Sequence, residues 1–216
     1  MAAIRQTPLH HWHEQAGARL LDHHGWRVPA YFTWAQKEAE QLRHSSALGD
    51  LSWMVKLDLK GYGLKTPPVL TGARAWHLGP QHYLATCDPA ASEAVLAELR
   101  SVSPRPDLSL PPPVYVTDVT SVFAQFLLAG PRSRDIMRKL KSLNESTLEN
   151  LACGQVSLAH AHSTVLRDDL ECIPAFHVLV SREYGESVWE AILHAGHEFH
   201  IAPFGLKALE FVGGRL

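Results

Sequence analysis

Charge is scarce and almost balanced in this chain, with 20 Lys and Arg against 22 Asp and Glu in 216 residues and a formal net charge of -2. There is no basic excess of the kind that phosphate backbones select for, so nucleic acid is not an expected partner. Cysteine is also sparse. Cys87, Cys153 and Cys172 lie far apart without a C-x-x-C pair, which argues against both a zinc cluster and a disulfide framework. No apolar run approaches the roughly 20 residues of a membrane helix, and Met1 to Pro8 lacks the apolar core of a secretory signal. A soluble, cytoplasmic protein is the expectation. Missing too are a G-x-S-x-G elbow, a P-loop and a Rossmann glycine fingerprint, the usual handles for serine hydrolysis, nucleotide hydrolysis and NAD chemistry.

What the chain does have is a hydrophobic content of 46% and enough length to bury a sizeable core, as one domain or as two packed halves. Its clearest periodic stretch is His44 to Gly61. From Leu51 to Leu59 the odd positions Leu51, Trp53, Val55, Leu57 and Leu59 are apolar, while Asp50, Ser52, Lys56, Asp58 and Lys60 are polar. Strict alternation predicts one half-buried strand. Met54 breaks it by standing on the polar face, where it either packs under a loop or touches a ligand.

Thr7-Pro8 and Gly17 bracket a short helix, Leu9 to Ala16, and Thr33 with Gln36 reads as a capping box opening a second, Trp34 to about His44. Arg74 to Leu78 and Tyr83 to Cys87 read as a hairpin. Asp88-Pro89 opens an amphipathic helix with Ala94, Leu96 and Leu99 as its buried stripe, ending near Val102. Ser103 to Pro113, S-P-R-P-D-L-S-L-P-P-P, is the strongest linker signal. Beyond it, Val122 to Ala129 reads as a continuous apolar run suited to a central strand, and a helix follows over Arg132 to Leu140. Strands are predicted over Gln155 to Arg167 and Ala175 to Ser181, and a last helix over Tyr184 to Ala195.

The halves can be superposed as patterns, with K-L-D-L-K-G at Lys56 to Gly61 in the place of F-L-L-A-G-P at Phe126 to Pro131. The expected fold is α+β: two related antiparallel-sheet-plus-helix units of ferredoxin-like pattern around a central cleft. They span 1–102 and 114–216, with a Pro-rich linker at 103–113.

The chain holds 14 histidines. His10, His11 and His13 crowd one helix, but consecutive residues on a helix point different ways and no thiol or carboxylate completes a metal set. His160 and His162 share a predicted strand face that His177 could oppose, and the alternative is solvated or hydrogen-bonded histidines. Asp168-Asp169 fits a turn between strands better than a general acid and base.

Several motifs occur together. Thr7-Pro8-Leu9, His13, Gly17-Ala18, Gly25-Trp26, Pro29, Tyr31, Arg43 and then A-L-G-D-L-S-W-M-V-K follow one another in an order that resembles the aminomethyltransferase family, the T-protein of the glycine cleavage system. L-L-A-G-P-R-S-R-D-I-M-R-K-L and A-P-F-G-L-K-A-L resemble that family's second unit and its pre-terminal G-L motif. The resemblance implies units around a cleft that binds tetrahydrofolate, transfer of a one-carbon unit from an aminomethyl donor, and ligand contact at Met54.

Three departures accompany it. Thr71-Gly72 runs straight into Arg74-Ala75-Trp76, where the family carries its catalytic aspartate loop, so no catalytic residue is assigned. His177 stands where the family has a pterin-binding glutamate, and an imidazole offers one acceptor and one donor in place of a carboxylate's acceptors. Leu209 stands at the place of an arginine that meets the ligand's acidic tail, and Lys207 is the neighbouring cation that could compensate. The implied folate-binding residues are therefore Met54, His177 and Lys207. The chain stops at Leu216, before the family's C-terminal β-barrel. H-L-G-P-Q-H-Y-L and F-H-V-L-V-S-R-E-Y-G-E-S-V-W-E-A-I-L resemble the gamma subunit of heterotetrameric sarcosine oxidase, a short relative that works within a complex. Two readings follow: a folate-binding or one-carbon-transferring protein, and a non-catalytic subunit partnered by larger oxidoreductase subunits. A-C-G-Q at Ala152 to Gln155 only superficially echoes a motif of a third relative, the folate-binding protein of iron–sulfur cluster maintenance.

Overall fold

The computed structural model describes residues 4–102, 113–140 and 148–213, so most of the Pro-rich segment lies outside the described residues. The first element, β1 (Arg5–Gln6), leads into α1 (His10–Gln15). A hairpin of β2 (Arg19–His23) and β3 (Trp26–Tyr31) follows, turned by His24 and Gly25, both at positive φ. Next come α2 (Ala35–His44) and β4 (Ala47–Asp50). β5 (Val55–Lys60), β6 (Ala73–Gly79), β7 (His82–Cys87), α3 (Ser92–Val102) and β8 (Tyr115–Asp118) make up the middle of the chain. After β9 (Phe123–Ala129) run α4 (Ser133–Lys139), β10 (Cys153–Leu158), β11 (Ala161–Arg167), β12 (Ala175–Ser181) and α5 (Gly185–Gly196). β13 (Ala202–Phe204) and α6 (Leu206–Phe211) close the described chain. The fold is α+β.

Two compact units result, and the chain divides elsewhere than at its prolines. One unit joins Met1–Trp53 to Val122–Arg215, and the other is Met54–Ser121. The reason is strand pairing. β4 lies antiparallel to β9, from Ala47 opposite Ala129 to Asp50 opposite Phe126, and parallel to β13, so the N-terminal segment is stitched into the C-terminal sheet.

The larger unit holds a six-stranded sheet ordered β10-β11-β12-β9-β4-β13 and a small sheet ordered β1-β3-β2. Leu48, Phe126, Leu128, Val165, Phe176, Val178 and Val180 form one buried cluster with Ile136 and Met137 of α4 and Val188, Trp189 and Ile192 of α5. The smaller unit holds a four-stranded sheet ordered β6-β7-β5-β8, whose Leu57, Leu59, Tyr83, Ala85 and Cys87 bury against Val95 and Leu99 of α3. Ala94, read from sequence as part of that stripe, is exposed, because the helix turns its Val95–Leu99 line inward. Both sheets contain an array of the same order and polarity. β11-β12-β9-β4 and β6-β7-β5-β8 are each antiparallel throughout, which is the internal correspondence of β5 with β9.

Three elements differ from the sequence reading. The predicted single strand Leu51 to Leu59 is broken: β4 ends at Asp50, residues 51–54 turn, and β5 begins at Val55. The predicted strand Gln155 to Arg167 is a hairpin whose turn residues Ala159 and His160 both have positive φ, a geometry that usually announces itself with Asn-Gly. The capping box is absent from α2, whose N-cap is Trp34 without a side-chain bond. Glu38 takes the role instead. Its Oε1 accepts from the backbone N–H groups of Phe32 (2.6 Å) and Thr33 (2.7 Å), and its Oε2 accepts from Gly205 N–H (2.9 Å). One buried carboxylate thereby ties the start of α2 to the start of α6. No helix among the described residues is long and apolar enough to cross a membrane.

Candidate functional site

The larger unit carries a run of buried polar residues across α1, the end of β4, β9 and β12, linked side chain to side chain except where Ser52 meets the backbone N–H of Gln125. It begins at His13, whose Nε2 lies 2.9 Å from Asp50 Oδ2, with both side chains fully shielded from solvent. Trp12, Phe32 and Trp189 surround the imidazole edge-on, with ring centroids 5.6, 5.6 and 5.8 Å away. Asp50 is the last residue of β4, and its Oδ1 accepts from Ser52 N–H (2.9 Å) and Ser52 Oγ–H (2.6 Å), which folds the chain out of the strand. Burial pushes the Asp50 carboxyl up, but the hydrogen bond and charge of His13 and the hydroxyls of Ser52 and Thr7 outweigh it and hold the group below its ordinary range.

Ser52 Oγ in turn accepts from Gln125 N–H at 3.1 Å. Gln125 faces Leu179 across β9 and β12, and His177 faces Leu127, so the two polar side chains are diagonal neighbours on one sheet face. The Gln125 Nε2 amide donates to His177 Nδ1 at 3.0 Å, which places the imidazole proton on Nε2. A neutral imidazole of fixed tautomer in this setting is an oriented hydrogen-bonding group.

Of the residues assigned from sequence, His177 is joined to this network through Gln125 and is 7% exposed. Lys207 is exposed on α6, and Leu209 beside it is buried in the core. His177 lies on β12, three strand spacings (about 14 Å) from β13, the strand that leads into α6 and Lys207. Met54 belongs to the smaller unit, 3% exposed at the mouth of β5, and its carbonyl accepts from Lys56 Nζ at 2.7 Å. Thr71-Gly72 leads directly into β6, and Thr71 N–H is taken by Glu98 of α3 at 2.8 Å.

The His160, His162, His177 trio does not assemble. His177 pairs opposite Leu166, four residues up β11 from His162, while His160 sits in the hairpin turn. His160 lines a separate hollow of about 520 Å³ with Lys139, Ser157 and His194. Asp169 lies in the connection between β11 and β12, just before the turn at 171–172, gripping Arg167 through both carboxylate oxygens (3.0 and 2.7 Å) and accepting from Ala175 N–H.

Asp50, Ser52 and Gln125 escape a periodicity reading. Asp50 and Ser52 alternate with apolar neighbours as solvent-facing residues do, yet they are 3% and 1% exposed. Gln125 is the polar interruption of the Val122 to Ala129 run, and that interruption is its one local signal.

An antiparallel α+β chain with a buried His–Asp–Ser–Gln–His network is the class that fold and site define. The chain belongs to the family described as the GCVT N-terminal domain, whose profile matches residues 70–212. It is 28% identical to an aminomethyltransferase of Saccharopolyspora erythraea over 96% of this chain and 62% of that protein. It is 24% identical to sarcosine oxidase subunit alpha of Rhizobium meliloti over 95% of this chain but 25% of that one. Among solved structures it resembles the glycine cleavage system aminomethyltransferase T of Bartonella henselae, with a TM-score of 0.75, 17% identity, and coverage of 98% of this chain and 62% of that one. It also resembles a chain of heterotetrameric sarcosine oxidase from Corynebacterium sp. U-96, crystallised with pyrrole 2-carboxylate, with a TM-score of 0.59, 16% identity, and coverage of 90% and 96%. The chain spans less than two thirds of the aminomethyltransferases it matches.

Proposed function

We propose that this chain binds a tetrahydrofolate-type ligand without carrying out one-carbon transfer by the route of its relatives. The observation that carries the reading is the His13–Asp50–Ser52–Gln125–His177 network. Ser52, tied through Asp50 to His13, anchors the Gln125 backbone N–H, and the Gln125 side-chain amide lies on His177 Nδ1, so a buried imidazole has a polar neighbour to orient it, a provision a recognition residue requires. The residues that the family resemblance assigns to the ligand are Met54, His177 and Lys207. An imidazole at His177 is a narrower match to a pterin edge than a carboxylate. Residues 71–72 supply no carboxylate for the transfer step, while Leu209 removes a cation that would meet the ligand's acidic tail and leaves that binding role to Lys207.

Titration with tetrahydrofolate tests this directly. The melting temperature should rise with ligand, by about 2.7 kcal/mol of stabilisation at a hundredfold excess over Kd. Met54→Lys should abolish the rise, and no shift at millimolar ligand would sink the proposal.

A second reading, a non-catalytic subunit of a sarcosine-oxidase-like amine-oxidising complex, is supported by the likeness to a chain of heterotetrameric sarcosine oxidase and to a sarcosine oxidase subunit alpha. Trp34, 71% exposed and stacked on Tyr31 at 6.4 Å, is the kind of aromatic an interface with a larger subunit would cover. Co-purification with large flavoprotein subunits, weakened by Trp34→Glu, would support it, and a monomer that captures nothing from its native lysate would count against it.

A further inference from the structure

Lys56 is 0% exposed, and lysine is almost never fully buried unless its ammonium is held. It sits on β5, an interior strand of the smaller unit's sheet, flanked by β7 and β8. Its backbone is fixed on the β8 side, where Lys56 N–H donates to Thr120 Oγ1 at 3.1 Å and Lys56 C=O accepts from Val119 N–H at 2.9 Å. On the β7 side it pairs with Thr86, whose Oγ1 accepts from Trp76 Nε1 at 2.9 Å. From this rigid base the side chain folds back along its own strand, and Nζ donates to the Met54 carbonyl at 2.7 Å. Met54 is two residues earlier, outside the strand ladder, in the turn where the chain passes from one unit to the other.

We propose that Lys56 is the positioning residue for Met54, clamping the Met54 carbonyl by a charge-assisted hydrogen bond and so fixing where the Met54 side chain stands. This rests on the reading above that Met54 meets the ligand. Met54 stands in the turn just before β5, and the bond from Lys56 ties its carbonyl to that interior strand, the kind of support from a rigid element that a contact residue needs. A buried ammonium is a costly support, and an apolar residue would pack at that position more cheaply. An ammonium hydrogen bond to a carbonyl is also shorter and stronger than a neutral one, which suits a clamp.

The test uses Lys56→Leu, which keeps an apolar stem and loses the donor, and Lys56→Arg, which keeps a donor. Met1, Met54 and Met137 are the three methionines, so the Met54 methyl can be followed by carbon-13 NMR in the ligand-free chain and assigned with Met54→Leu. Lys56→Leu should shift or broaden the Met54 methyl while leaving Met137 in place, and weaken tetrahydrofolate binding by roughly tenfold. Lys56→Arg should restore both. A Met54 methyl unmoved in Lys56→Leu overturns the inference, as does unchanged tetrahydrofolate affinity, even if the melting temperature falls. Should Lys56→Leu fail to fold, a Met54 methyl displaced in Lys56→Arg to the same degree as in the unfolded chain would likewise overturn it. If the unaltered chain binds no tetrahydrofolate, the ligand reading falls on its own, and the methyl still reports whether Lys56 holds Met54.

Discussion

His13 and Asp50, 37 residues apart in sequence, meet as a fully buried pair 2.9 Å apart, joining α1 to the end of β4. Removing one partner leaves the other polar or charged in an aromatic-walled interior. His13→Ala or Asp50→Ala should each cost about 3 to 5 kcal/mol, which for a chain of this size is a fall in melting temperature of about 10 °C. The double substitution should cost little more than either single one, so a double-mutant cycle in urea checks the pair directly. Additive costs would mean that the two groups are not coupled.

Acid sensitivity follows from the same carboxylate. Asp50 is held below its ordinary value of 3.8, and Asp58, paired with Lys60 and His82, is shifted in the same direction. A depressed carboxyl binds its proton more readily in the unfolded chain. The stabilisation is therefore complete above that ordinary value and is lost as pH falls through the lower folded value. Asp50→Asn should lower stability at neutral pH and flatten the acid limb of the stability curve below about pH 5. An acid limb as steep as the parent's would count against Asp50 as its source.

The tautomer of His177 is set by Gln125. Gln125→Leu removes the amide donor at Nδ1, and imidazole nitrogen-15 shifts should show the Nε2–H form losing its dominance, with a loss of about 1 to 3 kcal/mol in stability. His177 shifts identical in parent and variant would rule out the bond as the determinant.

The thiols should react in order of exposure and ionisation. Cys172 is exposed, Cys153 is half-buried with its thiol pushed up by burial, and Cys87 is pushed up to about 11 by burial and by the Asp88 and Asp118 carboxylates. At pH 8, iodoacetamide followed by mass spectrometry should find Cys172 alkylated first and Cys87 untouched until the chain unfolds. Early modification of Cys87 would contradict its placement in the core.

Local pattern carries much of this protein. Alternation and turn residues mark the β6–β7 hairpin, the strand over Ala175–Ser181 and the amphipathic face of α5, because each depends on residues a few positions apart. The motifs around Met54 and Gly130-Pro131 point to the family for a similar reason: they are contiguous. What the sequence does not carry locally is which polar positions are interior. Periodicity says which residues share a face and nothing about what covers it. Asp50 and Ser52 therefore read as solvent-facing until β9, some 75 residues on, closes over them through Gln125. The same holds for the division of the chain, drawn at the prolines by composition and at Trp53 and Ser121 by strand pairing. By itself the sequence determined many of the elements, the internal correspondence and the family. Tertiary pairing alone decided that His13, Asp50, Ser52, Gln125 and His177 are buried and linked, since burial is a property of contacts between segments distant in the chain.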